Sequence, residues 1–248
     1  MAVRIEKNSL HYLSQFPPIR CDTHFRYNIK IADSFFSNPR IKWASLGSAL
    51  ENVRNGLNIK TDFYSMDETD ILYLSVSQIK EYGLVEKNQN YLTDEVKDLN
   101  SYFDVDENML LITRSGTIGV ALSTNHPSFL FDEFTYVASG FVITADVKDG
   151  FSSDVIAGYI NLFDVQKYLT AMAAGACQKN IAQPTINNLP IPECLLSGAT
   201  KVDQYFADYT RESRQIINSI QSYEKKLHEL KSDISSAIKN QITEYYRD

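Results

Sequence analysis

The stretch Met109-Leu110-Leu111-Ile112-Thr113-Arg114-Ser115-Gly116-Thr117-Ile118-Gly119-Val120-Ala121-Leu122-Ser123 decides the fold class. Two short apolar runs, 109–113 and 119–123, stand on either side of the turn-prone pair Ser115-Gly116. Apolar and β-branched residues in runs of this length, separated by turn residues, predict two adjacent β-strands.

Further runs of the same kind flank this pair, at residues 71–76, 134–137 and 140–145. Short strands at this regular spacing are typical of a mostly antiparallel or barrel-like sheet. Residues 35–43 predict an irregular segment, and 44–50 predict a short helix. A second helix should begin at Ser153-Asp154, because an N-cap residue there precedes an apolar stripe that continues to Leu169.

The last part of the chain has a different pattern. Residues 202–246 contain neither Pro nor Gly, and their apolar positions alternate in steps of four and three, as in a coiled coil. We call these positions the apolar seam: Ile216, Ile220, Tyr223, Leu227, Leu230, Ile234 and Ala237. A helix of this length would extend about 65 Å at 1.5 Å per residue, which predicts that the seam packs on another helix. The alternative is a terminal helix that folds back on its own domain.

Together these patterns predict an α+β (mixed α/β) fold in two parts: a β-rich domain over residues 1–200 and a long coiled-coil helix over 201–248. The 248 residues are 44% hydrophobic, which supports a folded core and excludes disorder for most of the chain. The net charge of −7 argues against a basic nucleic-acid coat, but residues 1–60 carry nine Lys or Arg against four Asp or Glu. Residues 61–110 carry three against twelve.

Cysteine and histidine are too few and too scattered for a metal or disulfide framework. The three cysteines lack a CxxC spacing, and the four histidines form no cluster. No apolar run is long enough to span a membrane, and the first residues do not resemble a signal peptide. The sequence therefore predicts a cytoplasmic protein that binds no metal.

Catalytic motifs are absent from the sequence. There is no GxGxxG, GxxxxGK[ST], GxSxG or HExxH pattern. Glu95-Val96-Lys97 has the ExK spacing of some metal-dependent nucleases, but it lies in an acidic stretch and such triplets are common by chance. We therefore expect no enzyme activity, with a nuclease as the alternative.

Two neighbouring stretches between the second predicted helix and the long helix are distinctive. Gly175-Ala176-Cys177-Gln178-Lys179-Asn180-Ile181 combines a turn residue with two side-chain amides that could bind backbone or base edges. Leu189-Pro190-Ile191-Pro192 is stiff and apolar. A buried connection between helices would also account for both stretches.

These residues carry a family resemblance. The pattern formed by Gly175, Gln178, Asn180 and Ile181, followed by Leu189-Pro190-Ile191-Pro192 and a long helix, resembles the target-recognition domain of type I restriction–modification specificity (S) subunits. Residues 73–79 and 111–119 are similar to two further family segments. Gln78 stands where the family commonly has an acidic residue, and the usual Pro-x-x-x-Glu-Gln run is blurred at residues 202–206.

The resemblance implies a non-catalytic subunit that recognises one half of a bipartite DNA target and directs methyltransferase and restriction subunits to it. S-adenosylmethionine would bind the methyltransferase and not this chain. Family members carry two recognition domains and two helices, so the resemblance implies a half-subunit that pairs with a second copy through its helix. The alternatives are the recognition tail of a fused restriction–modification enzyme and a coiled-coil adaptor that does not bind DNA.

Candidate DNA contacts follow from charge and side-chain geometry. Base edges are read by fork-shaped or amide side chains, and phosphates are bound by Lys and Arg. The candidates for base contacts are Arg54, Asn55, Gln78 and Arg114. The candidates for phosphate contacts are Arg20, Arg26, Lys30, Arg40, Lys42, Arg54, Lys60 and Lys179.

Overall fold

A computed structural model describes residues 23–85, 89–174, 179–196 and 201–245. The chain divides into two compact units, Met1–Phe206 and Ala207–Asp248. The helices are α1 (Thr23–Phe36), α2 (Ser153–Ile160), α3 (Phe163–Met172), α4 (Gln183–Asn187) and α5 (Lys201–Tyr245). The strands are β1 (Trp43–Ser45), β2 (Leu50–Asn55), β3 (Tyr64–Ser65), β4 (Ile71–Leu74), β5 (Ile79–Lys80), β6 (Gly83–Leu84), β7 (Tyr91–Leu92), β8 (Met109–Thr113), β9 (Ala121–Ser123), β10 (Thr135–Ala138), β11 (Val142–Val147) and β12 (Pro190–Pro192).

The quoted stretch 109–123 forms strands β8 and β9, as the sequence predicts. They belong to an antiparallel sheet in the order β2-β11-β8-β9, which we call sheet 1. All five residues of β8 are buried, because Leu110 and Ile112 face one core while Met109 and Leu111 face another. A strand covered on both faces requires a continuous apolar run rather than an alternating one.

A second four-stranded sheet, sheet 2, has the order β10-β4-β7-β3. Its β10 and β4 are parallel, while β7 pairs antiparallel with β3 and β4. The predicted mostly antiparallel arrangement is thus confirmed with one parallel pair. Eight of the described strands lie in these two stacked sheets and not in one barrel, and the other four form the two-stranded sheets β1-β12 and β5-β6.

Three apolar cores give the body its layers. The first lies between sheet 1 and the helices α1 to α4, and the second lies between the two sheets. The third covers the outer face of sheet 2 and includes Leu57, Tyr73 and Val96. The α+β class that the sequence predicts is confirmed.

Helix α1 lies where the sequence analysis predicted no helix. Its buried apolar residues Phe25, Ile29 and Ala32 are spaced by four and three, and the helix packs on α3. The centres of the Phe36 and Tyr168 rings lie 5.2 Å apart. The prediction of an irregular segment over 35–43 is therefore wrong for Phe35 and Phe36, which belong to α1.

The short helix predicted over 44–50 was also wrong. This stretch forms β1, a 3-10 helix over Leu46–Ser48 and the start of β2. Ala44 pairs with Ile191 of β12, and the amide of Leu46 donates to the carbonyl of Leu189 at 2.8 Å. Tertiary pairing with a distant strand overrides the local helical preference.

The helix predicted from Ser153 is two helices, with Ser152 as the N-cap of α2. The break falls at Asn161, whose side chain bonds both backbone groups of Ala121 at 2.9 and 2.7 Å. Asn161 thereby satisfies an edge-strand residue of β9 in place of continuing the helix.

Helix α5 has 45 residues and confirms the prediction of a long terminal helix. The six large side chains of the apolar seam are between 49% and 72% exposed. Among the described residues, no helix is both long enough and apolar enough to span a membrane.

Candidate nucleic-acid interface

Residues 139–141, which we call the crossing loop, connect β10 of sheet 2 to β11 of sheet 1 at one end of both sheets. The amide of Ser139 donates to Leu74 at the end of β4, and the amide of Gly140 donates to Leu57. On the other side, the carbonyl of Phe141 accepts a hydrogen bond from Arg114 at 3.0 Å. The loop therefore joins the segments that follow β2, β4 and β8.

Glycine is required where these segments meet. A Cβ atom on Gly56 would lie 2.2 Å from the carbonyl oxygen of Ala138. A Cβ atom on Gly140 would lie 2.1 Å from Oδ1 of Asn58. Both distances are far below van der Waals contact. The atoms facing Gly56 are backbone, so only glycine allows this close approach, whereas at Gly140 the Asn58 side chain would have to move.

The turn between β8 and β9 is held in place from both sides. The Thr113 hydroxyl donates to the carbonyl of Thr117 and accepts a 3.0 Å bond from the amide of Val120. Gly119 has φ of +81°, a conformation that favours glycine, and its carbonyl accepts a 2.6 Å bond from Nε2 of Gln166 on α3.

The end of the stretch 175–181 packs on this turn. Asn180 exchanges two backbone hydrogen bonds with Ala174, at 2.8 and 2.9 Å, and forms a bridge with Ser115. The amide of Ile181, which is 1% exposed, donates to the carbonyl of Arg114 at 3.0 Å. Two motif segments about 65 positions apart are thus neighbours in space. Gly175 and Gln178 lie outside the described residues.

The Leu189-Pro190-Ile191-Pro192 part of the motif has a structural role in this body. Leu189 and Ile191 are completely buried, and β12 pairs with β1. The Tyr159 hydroxyl donates to the carbonyl of Pro190. Proline has no backbone N–H group to donate. It therefore fits β12, which is an edge strand.

Five of the eleven predicted DNA contacts belong to segments that meet at this end of the sheets, which we call the sheet end: Arg54, Asn55, Lys60, Arg114 and Lys179. Asn55 pairs with Ile143 at the end of β2, and Arg114 follows β8. Lys179 precedes Asn180, which bridges to Ser115. Lys60 is exposed and lies two residues beyond Asn58, whose side chain approaches Gly140.

The two arginines of the sheet end are fixed by the protein. The Arg54 guanidinium carbon lies 3.7 Å from the centre of the Phe103 ring, a cation–π contact. Arg114 donates from Nη1 to the carbonyl of Gly140 at 3.3 Å. The Nε atoms of both arginines are buried without a hydrogen-bond partner. Each side chain is therefore partly inserted into the body, and its terminal nitrogens are its remaining donors.

Gln78 is placed differently from the other candidates. It is only 3% exposed, and its Oε1 accepts bonds from the amide and the hydroxyl of Ser75 at 2.8 and 3.0 Å. It closes the turn after β4, and burial of this kind does not suit a side chain that reads bases.

The other basic residues of the first quarter belong to elements that do not build the sheet end. Arg26 and Lys30 are exposed on α1, and Arg40 and Lys42 are exposed before β1. Arg20 lies outside the described residues. Their predicted phosphate contacts stay predictions.

The sheet end is free of acidic residues along the segments that build it. Residues 54–60, 113–120, 139–141 and 179–181 contain no Asp or Glu but include four of the predicted basic contacts. The acidic residues concentrate instead in 61–110, where Lys97 pairs with Asp94 at 2.8 Å. The net negative charge of the chain therefore conceals a locally basic end.

The predicted nuclease alternative centres on Glu95 and Lys97, both in the 3-10 helix Asp94–Asp98. A hydrogen bond from the Thr93 side chain lowers the pKa of Glu95, and the bond to Asp94 raises the pKa of Lys97. Within the described residues, no group of three His, Cys, Asp or Glu side chains could hold a metal ion.

No family model matches the sequence, and no curated protein matches it. Among solved structures, the chain is similar to the S subunit of a type I restriction–modification system from M. genitalium, with 14% identity over 79% of this chain and 42% of that chain and a TM-score of 0.41. It is also similar to the HsdS subunit from Thermoanaerobacter tengcongensis, with 9% identity over 86% of this chain and 49% of that chain and a TM-score of 0.45.

A third similar structure comes from work on complex assembly and conformational transition of the type I R-M system. It has 8% identity over 92% of this chain and 52% of that chain, with a TM-score of 0.47. The chain thus spans about half the length of the structures it matches.

Proposed function

We propose that this chain is a non-catalytic DNA-specificity subunit of a type I restriction–modification system. It reads one half of a bipartite target and directs the methyltransferase and restriction subunits to that target. One observation carries the proposal: the amide of Ile181 bonds the carbonyl of Arg114 at 3.0 Å, which joins two motif stretches of the resemblance at one basic end of the body.

The charges at the sheet end support binding to the DNA backbone. Lys60 is exposed and Lys179 is partly exposed. Residues 54–60 and 179–181 contain no carboxylate, and the nearest one along the chain from Lys60 is Asp62. Lysine binds phosphate without regard to sequence, so these residues would set the affinity and its dependence on salt.

Sequence recognition would come from side chains with more than one donor or acceptor. Asn55 offers an amide that matches the N6 and N7 atoms of adenine, and the Arg114 guanidinium matches the O6 and N7 atoms of guanine. Arg54 and Arg114 are held by Phe103 and by the carbonyl of Gly140. Less side-chain entropy is lost on binding when a side chain is already held in place.

Helix α5 would supply the contacts to other subunits. The exposed apolar seam is typical of a helix that packs against another helix. We propose that a second copy of this chain covers it as an antiparallel partner and brings a second recognition body to the other half-site. The methyltransferase, with its bound S-adenosylmethionine, would dock on the paired helices, and a cytoplasmic location follows from the same assignment.

Fluorescence anisotropy tests this function directly. The chain, with the methyltransferase subunit of its host, is titrated with duplexes selected from a random pool and with unselected duplexes. We expect tighter binding to the selected duplexes by at least about 10³-fold, with affinity falling steeply as salt rises. Equal affinity for both sets, without a salt dependence, would instead identify a coiled-coil adaptor.

Lys97→Ala is the matched control in this assay. Lys97 is a lysine of the acidic part of the chain, already paired with Asp94. Its removal should leave both the affinity and the sequence preference unchanged. Metal-dependent cleavage of the duplex that disappears in this variant would establish the nuclease alternative.

A further inference from the structure

Phe141 is an exposed aromatic residue at the sheet end. Its side chain is 52% exposed, whereas Phe25 and Phe129 are 7% and 8% exposed. It belongs to the crossing loop, between Arg114 on one side and the segment 55–58 on the other. No motif of the sequence marks it, because a single Phe before an apolar strand reads as part of that strand.

The backbone around Phe141 is fixed on every side. Its own carbonyl accepts from Arg114 at 3.0 Å, and the preceding amide, of Gly140, donates to Leu57 at 2.8 Å. The following residue, Val142, bonds Ser139 through its amide at 2.8 Å and Gly56 through its carbonyl at 2.9 Å. The exposed ring therefore projects from a rigid platform, and the exposure does not reflect a loose loop.

The residues near Phe141 that carry base-reading groups are polar. Asn55, Arg114 and Asn180 carry amide or guanidinium groups. In the major groove the C5-methyl group of thymine is the apolar feature that distinguishes base pairs, and Phe is among the side chains that contact it.

We propose that Phe141 reads a thymine in the target half-site by packing its ring against the C5-methyl group. This inference rests on the proposed function and adds a specificity-determining residue to it. Insertion of the ring between base pairs as an apolar wedge is the competing role, and it would bend the duplex. The residue is 52% exposed, which leaves part of the ring available to a base edge.

Replacement of thymine by deoxyuridine tests the contact, because it removes only the methyl group. The target is first obtained from the wild-type chain and its methyltransferase by selection from random duplexes. Each thymine of that target is then replaced in turn. We expect one replacement to weaken binding by about fourfold, the value of burying one methyl-sized group.

The same duplexes are then measured with Phe141→Ala. The variant should bind the thymine-containing target about fourfold more weakly and should no longer distinguish thymine from deoxyuridine at that position. Tyr27→Ala is the matched control, because Tyr27 is 62% exposed on α1, outside the sheet end. It should preserve the discrimination in full.

The outcomes separate this inference from the proposed function. A wild-type complex without any sequence preference would overturn both. A clear target whose affinity is unaffected by deoxyuridine at every thymine would overturn the role of Phe141 alone, and this result needs no variant. A Phe141→Ala complex that still discriminates, or that loses DNA bending in place of methyl discrimination, would also overturn it.

Discussion

The backbone amide of Ile181 donates a 3.0 Å hydrogen bond to the carbonyl of Arg114. This bond joins residues 179–181 to the turn between β8 and β9 in sheet 1. Asn180 reinforces this joint through its bridge to Ser115. Because Ile181 is buried while Arg114 is partly exposed, the joint connects the core to the surface at the sheet end. A change in the turn should therefore affect both stability and DNA binding.

Gly119→Ala tests how tightly the turn is packed. Gly119 has φ of +81°, and an added Cβ would lie 3.0 Å from Cδ1 of Leu169. We expect a loss of about 2–4 kcal/mol in the free energy of unfolding, from backbone strain and overpacking together, measured by urea denaturation.

Gly150→Ala is the control for this effect. Gly150 has φ of +87°, but an added Cβ would meet nothing within 4 Å. Gly150→Ala should lower the free energy of unfolding only through backbone strain, by about 1 kcal/mol. Equal losses at the two positions would show that the turn is not packed as described.

Lys60→Ala tests the phosphate contact at the sheet end. We expect weaker binding to selected and unselected duplexes alike, and a slope of log affinity against log salt that is shallower by about 1, since one phosphate contact is lost. Binding titrations at several salt concentrations measure this slope. An unchanged slope would remove Lys60 from the interface.

His126 should make the body less stable in mild acid. It is 5% exposed, and burial lowers its pKa to about 4. Because an unfolded chain protonates its histidine near pH 6.5, only the unfolded state binds the proton between these values. The free energy of unfolding should be fully maintained above about pH 6.5 and fall as the pH drops toward about 4, by at most about 3 kcal/mol.

Urea denaturation over this pH range, with wild type and His126→Gln, measures the contribution. The difference in the free energy of unfolding between wild type and His126→Gln should become smaller as the pH falls. His228→Gln is the control, because His228 is exposed on α5. The same pH dependence in wild type and His126→Gln would show that His126 is not the group responsible.

Leu227→Asp tests the apolar seam. Leu227 is 53% exposed in the single chain, and a carboxylate there should not disturb α5 itself. In a paired helix it would be buried against apolar groups, so we expect the dimer to dissociate to a monomer in light scattering. Ser232→Asp, also exposed but off the seam, should leave the dimer intact. A monomeric wild-type chain would disprove the pairing.

The sequence predicted those parts of the fold that local pattern determines. Strand β8 is a nearly continuous apolar run, β11 is mostly apolar, and α5 has an uninterrupted seam, so each could be recognised alone. Trp43–Ser45 could not be recognised as a strand, because its partner β12 lies far along the chain. The break between α2 and α3 depends on Asn161 reaching Ala121, a contact that helical periodicity does not reveal.

The candidate site was predictable in its region but not residue by residue. Charge and amide content indicated Arg54, Asn55, Lys60, Arg114 and Lys179, and the fold brings their segments together. Gln78 carries the same chemistry but is buried in a turn. Phe141 was missed because only the three-dimensional crossing between the two sheets exposes it.

Methylome sequencing tests the central claim most directly. Cells that carry this chain with its methyltransferase are compared with cells from which only this chain has been deleted. We predict one split DNA sequence, methylated in the first cells and unmethylated in the second, with a changed or lost half-site when the chain carries Arg114→Ala. The same methylated sequence in both cell types would contradict the claim that this chain specifies the target.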